Sequence, residues 1–362
     1  MRIDQFVHTL NYGDAISNEA LTIQRLLRAQ GIASDIYVIH AHEQVKQYVR
    51  YWATNRDEIL AGKDSQQAII LHYSIASPLN AAFSDLRQLK RVLVFHNLTP
   101  AHWFLSYNDR VVKDLEVGFS ELPRLLPQAD LLLADSAYNK KELLAFGAKD
   151  VNVLPLPLDS QKWSVAANAG IAAALRDHGG KNILHVGRLA PNKCIEDIIK
   201  AFYFYHHKIE KKSKLWLIGI DIDTEIYSFE LRRLVSELRL EGDVEFVGAV
   251  ADCELRAFYE NSDLYLCTSE HEGFCVPLLE AMYFALPVIA YDACAVGETL
   301  GDGGVLIDHK RPAEIAEIMN LLLADNSLRA GLLTAAKARA VEFGLEKFEK
   351  LLQSELIRKL WS

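Results

Sequence analysis

Two acids separated by seven residues, Glu272 and Glu280, bracket a helix start in Ser269-Glu270-His271-Glu272-Gly273-Phe274-Cys275-Val276-Pro277-Leu278-Leu279-Glu280-Ala281-Met282. The segment follows an apolar run, Leu264 to Cys267, that reads as a buried strand. Pro277 belongs in the first helical turn, where a missing N–H costs nothing. The helix-start amides of Gly273, Phe274 and Cys275 form an anion site at the carboxyl edge of a sheet. Glu272 lies on the loop ahead of the helix. Glu280 lies about one turn inside, on the face that points back to the same crevice. Carboxylates accept hydrogen bonds and do not donate them. Two of them flanking a phosphate-binding helix start suit a ligand with hydroxyls at both ends and phosphates between. A nucleotide sugar is such a ligand.

A second cluster is Val186-Gly187-Arg188-Leu189-Ala190-Pro191-Asn192-Lys193-Cys194. It follows the first strand of the second half, where a Rossmann unit places its phosphate loop. Gly187 opens the loop. Arg188 can grip a phosphate bidentately, and Lys193, read as the helix start, adds a point charge. Together they neutralise a diphosphate leaving group. A third pattern, Ile220-Asp221-Ile222-Asp223-Thr224, contains an Asp-x-Asp of the kind that chelates a divalent ion. Its place between a strand and a helix favours a capping role for Asp223 or Thr224, and no metal site is expected.

Other polar residues carry less. His185 lies inside a strand and reads as core. His206 and His207 sit mid-helix without acids at ligand spacing. Phe202 to Tyr205 reads as a helix packed on a sheet, and Glu210-Lys211-Lys212 as a solvated helix end.

The elements that must hold these groups alternate. In the first half, strands are expected at Ile3 to His8, Ser34 to Ile39, Ala68 to His72, Val92 to His96, Leu131 to Ala134 and Val151 to Leu154, with amphipathic stretches such as Asn18 to Ala29 and Ser136 to Ala145 between them. Pro155 to Gly180 breaks the rhythm and reads as a linker. Strands resume at Asn182 to Val186, Leu215 to Ile218, Val244 to Val247, Leu264 to Cys267, Pro287 to Ala290 and Val305 to Ile307. Helices are expected at Lys193 to Ile209, Glu225 to Arg239, Asp252 to Glu260 and Val276 to Phe284, then at Arg311 to Leu323, Ser327 to Phe343 and Leu345 to Leu360. Such alternation predicts an α/β protein of two doubly wound parallel sheets in series.

Composition bounds the partners. The 362 residues suit two domains better than one core. A formal net charge of -9 argues against nucleic acid, since an acidic chain gains little from counterion release. The five cysteines contain no CxxC pair and read as reduced thiols. No stretch approaches the roughly 20 apolar residues of a membrane span, and the first ten residues lack the apolar core of a signal peptide. A cytoplasmic protein is expected.

With the glutamate pair and the Gly-Arg-Lys loop, the second half resembles the retaining glycosyltransferases of family four, the group 1 glycosyltransferases, through Ala295-Val296-Gly297-Glu298-Thr299-Leu300-Gly301-Asp302-Gly303-Gly304. The resemblance implies the GT-B fold: two Rossmann-like domains with an interdomain cleft. It places the acceptor-side domain at residues 1–158, the nucleotide-sugar domain at 179–344, and a final helix, 345–362, packed back on the first domain. It implies that Glu272 holds the donor-sugar hydroxyls, that Glu280 binds the ribose diol, that Arg188 and Lys193 clamp the diphosphate, and that Gly273, Phe274 and Cys275 lend backbone amides. In the first half the resemblance is looser. His96, in Val94-Phe95-His96-Asn97-Leu98-Thr99-Pro100, resembles the histidine the family sets beside the donor sugar. Tyr12-Gly13-Asp14-Ala15-Ile16-Ser17 resembles its acceptor-side loop, though the family often has two adjacent glycines where this chain has Gly13 and Asp14.

The implied reaction moves a hexose from a nucleoside diphosphate to a hydroxyl with retention, by same-face attack and without metal or resident cofactor. Charge building on the leaving phosphate would be met by Arg188, Lys193 and the helix amides. The phrasing of the second half is mannosyltransferase-like and leans to GDP-mannose, with a UDP-hexose as runner-up. The acceptor would be a saccharide or lipid-linked saccharide in surface-polysaccharide assembly, a setting compatible with peripheral contact at the inner face of a membrane. Rival readings are a sugar phosphorylase, for which no pyridoxal-binding lysine context is present, an epimerase, which would consume donor without acceptor, and a silent nucleotide-sugar-binding scaffold. The last predicts losses among Arg188, Lys193, Glu272 and Glu280, and all four are present.

Overall fold

Apolar runs such as Gln67–Tyr73 and Lys90–Phe95 are buried along most of their length, as expected of strands covered on both faces. The computed structural model describes residues 1–60 and 66–361. The chain divides into two units. Unit 1 comprises Met1–Ala101, Val112–Pro157 and Leu345–Ser362; unit 2 comprises His102–Val111 and Leu158–Gly344.

Unit 1 holds strands β1 (Arg2–Leu10), β2 (Ile36–Ala41), β3 (Val49–Tyr51), β4 (Gln67–Tyr73), β5 (Lys90–Phe95), β6 (Leu131–Ala134) and β7 (Asn152–Val153) in the order β3-β2-β1-β4-β5-β6-β7. Every pairing is parallel. The order reverses between β1 and β4, which makes their carboxyl ends the switch point where such sheets bind ligands. β3 and the helices Trp52–Leu60, Pro78–Asp85 and Asp109–Leu125 lie outside the sequence reading. The chain's end closes this unit. Leu345–Leu351 and Lys359–Trp361 are α-helical, with a wider π-helical stretch, Leu352–Arg358, between them. Phe348, Leu352, Leu356 and Leu360 join Ile3, Ile23, Leu27 and Val92 in one apolar cluster.

Unit 2 holds β8 (Lys181–Val186), β9 (Ser213–Ile218), β10 (Val244–Gly248), β11 (Leu264–Cys267), β12 (Val288–Tyr291) and β13 (Val305–Ile307), all parallel, in the order β10-β9-β8-β11-β12-β13. Its switch point lies between β8 and β11. Both chemistry-bearing loops follow these two strands.

The expected linker is not one. Within Pro155 to Gly180, residues Ala169–Asp177 form a helix. Asn168 caps it, its Oδ1 accepting from Gly170 N at 3.0 Å and Ile171 N at 3.1 Å. The alanines that suggested a spacer are good helix formers once capped. Trp163 is buried edge-on against Tyr259 and Phe284, with ring centres 5.9 and 4.9 Å away. Unit 2 therefore begins at Leu158 rather than residue 179, and includes the excursion His102–Val111.

Candidate functional site

In unit 2 the loops after β8 and β11 are stitched to each other. Asn192 O accepts from Glu270 N at 3.0 Å, and Asn192 Nδ2 donates to His271 O at 3.0 Å. Thr268 Oγ1 donates to Cys194 O at 2.8 Å. Both loops end on a left-handed residue before a helix: Cys194 (φ 48°) before Ile195–Lys208, and Cys275 (φ 74°) before Val276–Tyr283. Strained backbone of this kind persists where the surroundings over-determine it. Lys193 thus stands in the tight turn Pro191–Lys193, ahead of the helix the sequence reading began with it. Gly219, after β9, must remain glycine, because a Cβ there would come within 1.9 Å of Gly187 O.

Lys193 Nζ lies 2.7 Å from Glu272 Oε2, with only 19 % and 10 % of the two side chains exposed. Burial alone would push the ammonium down, but Glu272 outweighs it, and Lys193 ends above its ordinary value. Burial raises Glu272, while Lys193 and a bond from Ser269 bring it below the ordinary carboxylate range. Both groups are charged at neutral pH. His271 is pushed down to about 4 by burial and by Lys193, so it is neutral there. The guanidinium of Arg188 donates to Ile222 O at 2.6 Å, and burial lowers its pKa.

Glu280, on the helix Val276–Tyr283, is buried and has two partners that the sequence reading missed. Lys162 Nζ reaches Oε1 at 2.9 Å, and Tyr259 OH donates to Oε2 at 2.9 Å. Lys162 also sits 4.4 Å above the Trp163 ring. No local pattern marks it, because the segment Pro155 to Gly180 around it has the composition of a linker. Phe274 is buried edge-on against Phe343, with ring centres 5.5 Å apart, and its carbonyl accepts from Thr299 Oγ1 at 2.6 Å. The loop after β12 is tied in through Ala295 N, which donates to Glu272 O at 3.2 Å. Glu272, Gly273, Phe274, Cys275, Gly187, Arg188 and Lys193 are thereby gathered on loops at the carboxyl edge of one sheet, with Glu280 on the helix that follows.

Cys267, Glu272 and Cys275 offer ligand atoms within 4.8 Å of one another. Two facts work against an ion there. Lys193 already neutralises Glu272, and hydrogen bonding to Cys267, together with burial, holds the Cys275 thiol well above its usual value. The Asp-x-Asp is engaged otherwise. Asp223 is left-handed (φ 65°), and its carboxylate pairs with Arg110. Thr224 stands at the cap position of the helix Glu225–Glu237 but makes no side-chain cap; its hydroxyl donates to Leu189 O at 2.7 Å. The expected N-cap is therefore one of position only. His185 lies in the core as expected, its Nδ1 2.9 Å from Leu266 O.

In unit 1, Asp14 caps the helix Ala15–Ala29, its Oδ2 accepting from Ser17 N at 2.9 Å and Ser17 Oγ at 2.8 Å. Gly13 (φ 78°) makes the turn before it, with nothing within 4 Å of where a Cβ would stand. The pair is built as a turn and cap. His96 follows β5 and is buried. Its Nε2 lies 2.8 Å from His72 Nδ1, and its Nδ1 lies 3.1 Å from Asp135 Oδ2. Burial lowers its pKa and Glu19 raises it, the net direction being down. His72, Glu19 and Asp135 were not singled out in the sequence, since they are scattered over separate elements.

Residues 171–339 match the family model described as "Glycosyl transferases group 1". Over 322 residues the chain is 26% identical to the amylovoran biosynthesis glycosyltransferase AmsD of Erwinia amylovora, covering 87% of this chain and 80% of that one. It is 27% identical over 164 residues to the O-antigen chain mannosyltransferase B of Escherichia coli, covering 45% of this chain and 42% of the relative. Among solved structures, Anabaena Alr3699/HepE in complex with UDP-glucose superposes with a TM-score of 0.78 at 18% identity, over 99% of this chain and all of that one. At that identity the likeness is one of fold. Fold and family together define the class, a glycosyltransferase of the GT-B type. The match to the group 1 glycosyl transferases covers residues 171–339, a little under half of the chain.

Proposed function

We propose that the chain is a retaining, metal-independent hexosyltransferase that moves a sugar from a nucleoside diphosphate to a hydroxyl of a saccharide or lipid-linked saccharide in surface-polysaccharide assembly. The observation that carries this reading is the arrangement at the β8–β11 switch point of unit 2. The ion pair Lys193–Glu272, the loop amides of Gly273 to Cys275 ahead of the helix, and Glu280 held by Lys162 and Tyr259 lie along one carboxyl edge. Glu272 would accept from sugar hydroxyls and Glu280 from the ribose diol. Lys193 and Arg188 would balance the leaving diphosphate. On unit 1, His96 would serve transfer, with Gly13 and Asp14 on the acceptor side. Likeness to an O-antigen mannosyltransferase favours GDP-mannose. A UDP-hexose is the second reading, favoured by the structural neighbour solved with UDP-glucose.

The test is a thermal-shift series with GDP-mannose, UDP-glucose, GDP and UDP, followed by donor consumption with and without saccharide acceptors. The true donor raises the melting temperature by mass action, and nucleotides of the other base do so less. Consumption without acceptor would indicate an epimerase or hydrolase. Binding with no consumption under any acceptor would leave a nucleotide-sugar-binding protein.

A further inference from the structure

Four polar side chains form a row across unit 1: Gln5 on β1, His72 on β4, His96 after β5 and Asp135 after β6. Gln5 Nε2 donates to Ala20 O at 3.0 Å, so its Oε1 faces His72 Nε2, 2.9 Å away, as an acceptor. His72 Nδ1 and His96 Nε2 are 2.8 Å apart. His96 Nδ1 is 3.1 Å from Asp135 Oδ2. Glu19, from the helix Ala15–Ala29, is wholly buried beside the middle contact. Its Oε2 lies 3.5 Å from His72 Nδ1 and 3.4 Å from His96 Nε2, and neither of its oxygens has a hydrogen-bond partner.

The row contains three contacts, and each needs one proton. Gln5 Oε1 can supply none. Two neutral imidazoles bring two protons. A third must therefore reside among His72, His96 and Asp135, whichever of His96 and Asp135 carries it at their shared contact. Without it, a neutral His96 could serve His72 or an ionised Asp135 but not both, and the contact it left would set one lone pair against another. Unit 1 offers two candidates for what fills that contact, a proton or a metal ion, because Glu19, His72 and His96 also approach closely enough to ligate one. The rings decide. Their planes differ by 8° and their centres are 5.1 Å apart. Each nitrogen lies about 1.1 Å from its ring centre, so two such radii added to the 2.8 Å contact account for the whole separation. The rings are end to end in nearly one plane, with both lone pairs along the N···N line. That is the geometry of N–H···N; ligation needs lone pairs that converge on an ion at a wide angle.

We propose that His72 and Glu19 are positioning residues for His96: they keep a third proton in the row, with Glu19 as its counter-charge. While the proton is present, both nitrogens of His96 are engaged; on its loss the ring keeps its remaining proton at Nδ1, towards the Asp135 carboxylate, and Nε2, left facing the lone pair of His72 Nδ1, is freed for a ligand. The second half of this inference rests on the reading that His96 serves transfer. Burial pushes both rings towards the neutral form, and Glu19 opposes it on both. Asp14, at the cap of the same helix, acts on His96 in the same sense as Glu19. Burial holds Asp135 well above the carboxylate range, and Gln5 is uncharged.

The experiment is an NMR titration of the full chain labelled with ¹⁵N-histidine, from about pH 5 to about pH 9, the range in which imidazoles titrate. His72 and His96 are expected to change together in one single-proton step. In Glu19→Gln that step should fall by roughly one to three pH units, as expected on losing an opposite charge at this range. Independent titration of the two rings, no step at all, or an unmoved step in Glu19→Gln would overturn the proposal. So would stoichiometric Zn²⁺ uptake by the parent that Glu19→Gln abolishes. The parent's own titration decides the matter should the variant not fold. Donor turnover against pH is the second readout, with its break expected at the shared step and displaced with it in Glu19→Gln. Absence of turnover would count against the transferase reading and leave the titration result standing.

Discussion

Lys193 and Glu272, from loops on either side of the switch point of unit 2, meet at 2.7 Å with little water around them. On the proposed function, one faces the leaving diphosphate and the other the donor sugar. Each holds the other's charge in place before any ligand arrives. Removing one partner strands the other, at a cost of about 3 kcal/mol for a buried pair. Lys193→Ala alone would thus confuse folding with chemistry. The informative set is Lys193→Met, Glu272→Gln and the double variant. Both single variants should unfold at lower temperature than the parent, and the double variant should be less destabilised than their sum. Additive losses would show that the pair contributes nothing.

The same pair sets a pH dependence. The pKa of Glu272 is depressed in the folded chain, so its contribution is present above its unfolded value near 4.5 and is lost as pH falls through the folded value. The pKa of Lys193 is raised, so its contribution is present below about 10.5 and lost as pH rises through the folded value. The stability difference between parent and Glu272→Gln, followed by denaturant unfolding, should be flat across neutral pH and shrink below pH 4.5. A difference that persisted unchanged at pH 3 would place the stabilisation elsewhere.

Glu280→Gln should weaken donor binding by about one to two decades, since charge-assisted bonds are worth roughly 1.5–3 kcal/mol each. The structure adds a complication, because Lys162 loses its nearer carboxylate in this variant and keeps only Asp252, 3.9 Å away. Glu280→Gln combined with Lys162→Met removes the stranded charge. Donor affinity should stay low in the double variant while melting temperature recovers. Isothermal titration with the bare nucleoside diphosphate measures this, and unchanged affinity in both variants would remove Glu280 from the site.

How much of this was legible in the sequence depended on whether a signal was local. Leu264 to Cys267, the helix start at Val276 and the glutamate pair lie within one strand-loop-helix, where apolar runs and proline placement speak directly. Lys162 was missed because proline, alanine and asparagine around it look like a spacer, and only the Asn168 cap turns the alanines into a helix. Cys194 and Cys275 gave no sign of their left-handed backbone, which loop stitching imposes and side-chain preference opposes. His72, His96 and Asp135 are distant in the chain, and only the adjacency of β4, β5 and β6 brings them into register, with Glu19 reaching them from the helix Ala15–Ala29. The closing segment was readable as helical, but not its widening at Leu352–Arg358.

That closing segment should be essential to unit 1. Leu352 is fully buried in its cluster with Ile3 and Val92. Leu352→Ala should destabilise the unit by about 2–5 kcal/mol through lost transfer energy and the cavity left behind. Denaturant unfolding followed by a probe in unit 1 tests it, and a loss below about 1 kcal/mol would mean that the segment packs loosely.

Transfer should not need a metal. Ile220-Asp221-Ile222-Asp223-Thr224 carries an Asp-x-Asp, the pattern by which other glycosyltransferases chelate an ion through the donor diphosphate. One of its two carboxylates is already engaged. Asp223 adopts a left-handed backbone and commits its carboxylate to Arg110. The Asp221 carbonyl accepts from Thr224 N at 2.9 Å, closing the turn that starts the next helix. On the proposed mechanism, the charge a divalent ion would supply comes instead from Lys193, Arg188 and the helix-start amides. Activity should therefore survive excess EDTA, and Asp221→Asn should keep kcat within a few-fold of the parent. If EDTA abolished turnover and Mn²⁺ or Mg²⁺ restored it, the assignment of this turn and the cation clamp built on Arg188 and Lys193 would both fall. Loss of activity in Asp221→Asn that was insensitive to EDTA would instead point to the turn, whose disruption displaces the Leu189 carbonyl that Thr224 holds at 2.7 Å and with it the loop carrying Arg188.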